Sequence, residues 1–194
     1  EKDTETFIYI TLPFVTCPAE IDEARKVLDL ALPQIVKEHQ DSEAEIKPVI
    51  KLASMIEVPR AALIADQLAA KCDALLFNMD ILAQQSCTID LAEAETTFLP
   101  QYALMHVFDL GDQGRQNPLT NLDFEGVSKI LEIGLQKAKE GNSKILVGVT
   151  GKQCNTPEAI SYFTKLGFDF VSVDVDSLPI VRLAAAKAII QENV

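Results

Sequence analysis

Residues 145–173, ILVGVTGKQCNTPEAISYFTKLGFDFVSV, read as strand, helix and strand. Ile145–Val149 is an apolar run without polar alternation, the signature of a strand covered on both faces. Thr156-Pro157-Glu158 sets a cap, a first-turn proline and an acid in the order that opens a helix. Gly167 supplies its stop, and Phe170–Val173 is the next apolar run. Asp176-Ser177 then caps an alanine-rich helix over Leu178–Gln191.

The same alternation extends toward the N-terminus. Phe7–Phe14 is rich in β-branched and aromatic residues and leads, through Thr16, Cys17 and Pro18, into a helix with Ile21, Ala24, Val27, Leu28, Ala31 and Ile35 on one face. Pro33 is expected to kink that helix or end it early. Leu52–Ile56 precedes a helix running from Pro59 to about Ala70, and Ala74–Phe77 ends in Asn78-Met79-Asp80. Gln84–Leu122 reads as one long irregular segment, of the kind that serves as a lid or binding element; Phe98, Tyr102, His106 and Phe108 make it a candidate partner surface. Asn121 or Asp123 opens a helix that stops at Gly141. Five apolar strands alternating with amphipathic helices predict an α/β parallel sheet with helical cover. Periodicity leaves open whether the sheet is doubly wound or part of a (β/α)₈ barrel.

Composition narrows the function classes. The chain of 194 residues carries 17 Lys+Arg against 29 Asp+Glu, a net charge of −12, and shows no basic cluster to displace counterions from nucleic acid. No apolar run approaches the ~20 residues that span a bilayer. Cys17, Cys72, Cys87 and Cys154 are scattered and form no C-x-x-C, and His39 and His106 sit in no motif. Unpaired thiols suit an intracellular protein, cytoplasmic or organellar. The chain is expected to form a single domain over 1–194, and a first residue that is not methionine suggests a processed product or an excised part.

In either parallel architecture the functional end is the carboxyl end of the strands. Pro13, Glu57, Asp80, Thr150 and Asp174 stand there. Glu57 and Asp80 follow neighbouring apolar runs, and oxygen ligands from separate strand ends suit Mg²⁺. Strand-end acids also cap helices and line solvated rims.

Met55-Ile56-Glu57-Val58-Pro59-Arg60-Ala61-Ala62-Leu63 resembles the M-I-E-[IV]-P-R-A-A-L signature of the pyruvate phosphate dikinases, members of the phosphoenolpyruvate-utilising enzymes. Leu12-Pro13-Phe14-Val15 is similar to the family's I-P-[FL]-V, and Phe77-Asn78-Met79-Asp80-Ile81 falls where the family has G-T-N-D-L. Gly148-Val149-Thr150-Gly151 falls at G-I-C-G, and Pro179-Ile180-Val181-Arg182-Leu183-Ala184-Ala185-Ala186 resembles the terminal helix. The resemblance implies strands four to eight of a (β/α)₈ barrel that binds phosphoenolpyruvate and pyruvate. Such an incomplete barrel cannot close unaided: the remainder of a parent chain, a protein partner or a homo-oligomer completes it, or the sheet is rearranged.

By the same resemblance Glu57 and Asp80 are the magnesium ligands, and Met79, Asp80 and Gly151 lie at the substrate positions. Thr150 occupies the place of the cysteine that delivers a proton to the enolate, and a hydroxyl is far too weak an acid for that task. Met79 cannot donate to a substrate carboxylate as the family's asparagine does. Lys152-Gln153-Cys154-Asn155 lacks the acid and histidine of the family's loop, and Cys154 stands four places late. These replacements imply a catalytically degenerate domain with a structural or regulatory role. The retained Glu57/Asp80 pair keeps a second reading open: the active portion of a magnesium-dependent phosphotransferase, or an enolate lyase, completed by further protein.

Overall fold

Each apolar run forms a strand that pairs with its neighbours in sequence. In the computed structural model, which describes residues 7–38, 49–107 and 121–192, β1 (Phe7–Leu12), β2 (Val49–Ile56), β3 (Ala74–Asn78), β4 (Leu146–Thr150) and β5 (Phe170–Ser172) make one sheet. All neighbours are parallel and the order is β1-β2-β3-β4-β5. A doubly wound sheet reverses its strand order at a switch point. This one never reverses, so it winds in one direction as a barrel wall does. The incomplete-barrel expectation is met by the topology.

Helices α1 (Pro18–Glu38), α2 (Pro59–Leu63), α3 (Ala65–Ala69), α4 (Met79–Cys87), α5 (Leu91–Thr96), α6 (Leu99–Leu104), α7 (Val127–Gly141), α8 (Pro157–Leu166) and α9 (Leu178–Glu192) join and flank the strands. Register sorts the sheet into two faces. Ile56, Leu75, Phe77, Val147 and Val149 are buried in the main core together with residues of α2, α3, α4, α7 and α8. The opposite face carries Tyr9, Thr11, Ala53, Ala74, Leu76, Leu146 and Phe170 around an open apolar hollow of about 350 Å³. A complete barrel fills this space with layers of side chains from alternate strands. Large apolar side chains are also exposed on α1 (Val27, Leu30, Ile35) and α9 (Ile180, Leu183, Ile190). On its other side α9 buries Val181, Ala184 and Ala188, the close packing its alanines imply. Among the described residues no helix is long and apolar enough to cross a membrane.

Three local expectations need correction. Helix α1 runs through Pro33 to Glu38: Pro33 removes one main-chain donor, but Asp29 and Pro33 lie on the exposed side, where water serves the freed carbonyl. The helix after Glu57 breaks at Ile64 into α2 and α3. The supposed irregular stretch from Gln84 holds the rest of α4, then α5 and α6, and it buries Ala94 and Leu99. Helices of six residues are too short to show periodicity, though Asp90 marks the start of α5 by accepting from the Glu93 N–H at 3.2 Å. Phe98 packs edge-on against Tyr102 at 5.0 Å; Phe108 and His39 fall outside the described residues. Helix α7 starts at Val127, with Asp123 accepting from the N–H groups of Glu125, Gly126 and Val127.

Candidate functional site

Register brings the carboxyl ends of β2, β3 and β4 into one row: Ile56 pairs with Phe77 and Phe77 with Val149, and one step on Asn78 pairs with Thr150. Glu57 leaves β2 at the level of Asn78. It is only 3% exposed, an unusual place for a carboxylate. Two neutral donors hold it. The Phe14 N–H donates to Oε2 at 2.7 Å, and the Asn78 Nδ2 donates to Oε1 at 2.8 Å. Phe14 adopts φ +50 to aim that N–H, a left-handed conformation uncommon for a bulky residue.

Asp80, half-buried in the first turn of α4, accepts from the Lys152 N–H with both oxygens at 3.0 Å. Gly151 makes this approach feasible. It sits at φ +128, and a Cβ there would lie 3.0 Å from Asp80 Oδ1. Further along the rim, Asn155 Nδ2 donates to Asp174 Oδ2 at 2.7 Å and the Asp174 N–H donates to Asn155 Oδ1 at 3.1 Å. A belt of polar contacts therefore runs across the ends of all five strands.

Thr150 is half-buried on the row of Asn78. Met79 is a fully enclosed core residue, with no surface to offer a substrate. Cys154 is likewise enclosed, and burial, assisted by the Asp80 charge, pushes its thiol up to about 12. Arg182 is exposed and makes no ion pair among the described residues.

The family model described as "PEP-utilising enzyme, PEP-binding domain" matches residues 2–190. The chain belongs to the PEP-utilising enzyme family. Within the PEP-utilising enzymes it is 30% identical over 193 residues to the pyruvate, phosphate dikinase of Rickettsia prowazekii, covering 100% of this chain and 21% of the relative. It is 30% identical over 181 residues to that of Rhizobium meliloti, covering 93% and 19%, and 28% identical over 190 residues to pyruvate, phosphate dikinase 2 of Oryza sativa, covering 98% and 20%. The chain thus spans about a fifth of the length of these curated relatives. Among solved structures it superposes on pyruvate kinase of Cryptosporidium parvum with a TM-score of 0.56 at 14% identity, over 93% of this chain and 31% of the other, a likeness of fold.

The donor set at the strand ends fits a small hard cation. An ionised carboxylate offers about four lone-pair positions, and Glu57 spends two on neutral donors. Among the described residues no basic side chain pairs with Glu57 or Asp80, so neither carboxyl group has an ionic partner there. No group of three or more His, Cys, Asp or Glu converges among the described residues, but Mg²⁺ takes one or two carboxylates and completes its shell with water and substrate oxygens.

Sequence reasoning found both carboxylates and missed the groups that hold them. Asn78 had a legible signal, an N-cap residue directly before a helix; its Oδ1 accepts from the Ile81 N–H at 3.4 Å. The main-chain donors of Phe14 and Lys152 carry no residue-type signal.

Proposed function

We propose that this chain is the carboxyl-side segment of a phosphoenolpyruvate/pyruvate-binding barrel that keeps a magnesium-holding pair and has lost proton delivery to the enolate. Glu57 and Asp80 are the metal ligands, and the barrel is completed by the remainder of a parent chain or by another subunit. In this reading the domain serves a structural or regulatory role in an assembly. Bound Mg²⁺ would supply charge stabilisation at the enolate and carboxylate oxygens of a pyruvate-like ligand. The chain's own groups hold the two carboxylates and shape the rim around them.

The observation that carries this reading is the state of the two proton-donor candidates. Position 150 offers a hydroxyl, and the thiol of the following loop, Cys154, is enclosed and far above any useful acidity. Met79 in the core supports the same conclusion for substrate binding. The apolar hollow and the apolar rows on α1 and α9 support the need for further protein. A second reading, an active magnesium-dependent portion completed by that further protein, is favoured by one feature: the burial of Glu57 without a basic partner among the described residues.

Two measurements on the protein separate the readings. Calorimetric titration with Mg²⁺ plus oxalate, a planar mimic of the enolate, should give saturable binding that Glu57→Ala abolishes. Pyruvate incubated with protein and Mg²⁺ in D₂O should exchange its methyl protons no faster than a metal-only blank. Exchange above the blank overturns the loss of proton delivery, and absence of binding by folded protein overturns the metal assignment.

A further inference from the structure

We propose that Asn78 is a positioning residue for Glu57: its amide, opposite the left-handed N–H of Phe14, fixes the carboxylate in the orientation from which it takes a cation. The inference rests on the reading of Glu57 as a metal ligand given above. Three observations carry it. Asn78 ends β3 on the face of Thr150, so its side chain reaches the row where Glu57 stands, while the next side chain, Met79, is taken into the core. The amide is itself locked, because Oδ1 accepts from the first turn of α4 while Nδ2 donates to Glu57, which leaves one orientation of the carboxamide satisfied on both sides. Phe14 closes the opposite oxygen from a backbone conformation that its side chain does not favour.

Where the resemblance expects a carboxamide at position 79, this chain carries one a single residue earlier. Successive strand residues point to opposite faces, so that step turns the amide from a would-be substrate donor into a clamp on the carboxylate. Groups that orient a metal ligand are commonly worth about 10–100-fold in metal affinity.

The test uses Asn78→Ala and Asn78→Ser. Serine preserves the helix cap but is too short to reach Glu57, so it separates clamping from capping and serves if the alanine variant fails to fold. Mg²⁺ alone is the calorimetric probe, and exchange of the Phe14 amide hydrogen, followed by NMR, reports the carboxylate's position without metal. If the unmutated protein binds Mg²⁺, both variants should bind it about 10–100-fold more weakly, and the Phe14 amide should exchange at least about threefold faster. In that case any result short of both changes in folded Asn78→Ser overturns the proposal. If the unmutated protein does not bind Mg²⁺, the metal reading fails by itself and the Phe14 amide alone decides. Faster exchange then upholds the clamp, and unchanged exchange leaves Asn78 as a helix cap only, which also overturns it.

Discussion

Replacing Gly151 by alanine should destabilise the protein more than the same change at Gly167, the other positive-φ glycine among the described residues. The backbone at 151 holds φ +128 and ψ 164, a region essentially reserved for glycine, in which another residue costs about 1–3 kcal/mol. The added Cβ would also lie 3.0 Å from Asp80 Oδ1 and 3.1 Å from the Asp80 main-chain nitrogen. Backbone on one side and a hydrogen-bonded carboxylate on the other leave little room to yield. Displacing Asp80 loses its charged bond from the Lys152 N–H, worth about 1.5–3 kcal/mol. Together the expected loss is about 2.5–6 kcal/mol. Gly167 provides the control. It also has positive φ, +86, but nothing lies within 4 Å of its would-be Cβ, so Gly167→Ala bears the left-handed backbone cost alone, about 1–2 kcal/mol. Urea unfolding with a slope of about 2 kcal/mol/M would lower the midpoint by roughly 1.3–3 M for Gly151→Ala and by about 0.5–1 M for Gly167→Ala. Equal midpoint shifts would refute the close approach of the β4 loop to Asp80.

Two further outcomes follow from titration. The Tyr162 hydroxyl, 2.6 Å from Glu132 Oε1, is the main cause holding Glu132 below its ordinary value of 4.5. A carboxyl depressed in the folded state contributes stability that is present above about pH 4.5 and lost as pH falls through the folded value. The stability gap between the unmutated protein and Tyr162→Phe should therefore be widest near neutrality and narrow below pH ~4.5; urea midpoints from pH 7 to 3 read this, and a constant gap speaks against the bond. Burial pushes Cys72 up to about 11 and Cys154 up to about 12, so at pH 8 about one Cys154 in ten thousand is thiolate. Iodoacetamide at that pH should leave both unmodified until denaturant is added, as peptide mapping shows; rapid native labelling of Cys154 would reopen its candidacy as a proton donor.

How much of this was legible in the sequence depended on how far each signal reached. The five strands were legible because both faces of the sheet are apolar, one packed on the helices and the other around the open hollow, which leaves continuous apolar runs, and α8 because its cap, proline and glycine are local. The barrel-like winding was not legible in periodicity, since only strand order distinguishes it from a doubly wound sheet and order is a property of pairing; the motif resemblance alone implied it. The pieces between Gln84 and Leu104 were misjudged as irregular because α5 and α6 complete too few turns to display a period. Pro33 misled because its cost depends on which side of α1 faces water. At the site, Glu57 and Asp80 stood out as acids behind apolar runs, whereas their holders are a carboxamide on the neighbouring strand and two peptide N–H groups. The exclusion of Met79 from the surface followed from strand alternation, which fixes a side chain's face only once the strand's last residue is known.

The hollow on the uncovered face of the sheet also sets terms for whatever closes the barrel. Its walls are low where Ala53 and Ala74 meet, and at Gly148 the ring of Phe170 lies so close that an added Cβ would come within 2.2 Å of it. Small residues here demand bulky ones opposite, because a barrel layer packs to a nearly constant volume. Closure is thus a matter of steric matching as well as edge pairing. A complementing piece with large aliphatic side chains at the facing positions would dock and fill the lumen, while one with alanines there would leave a void and bind weakly.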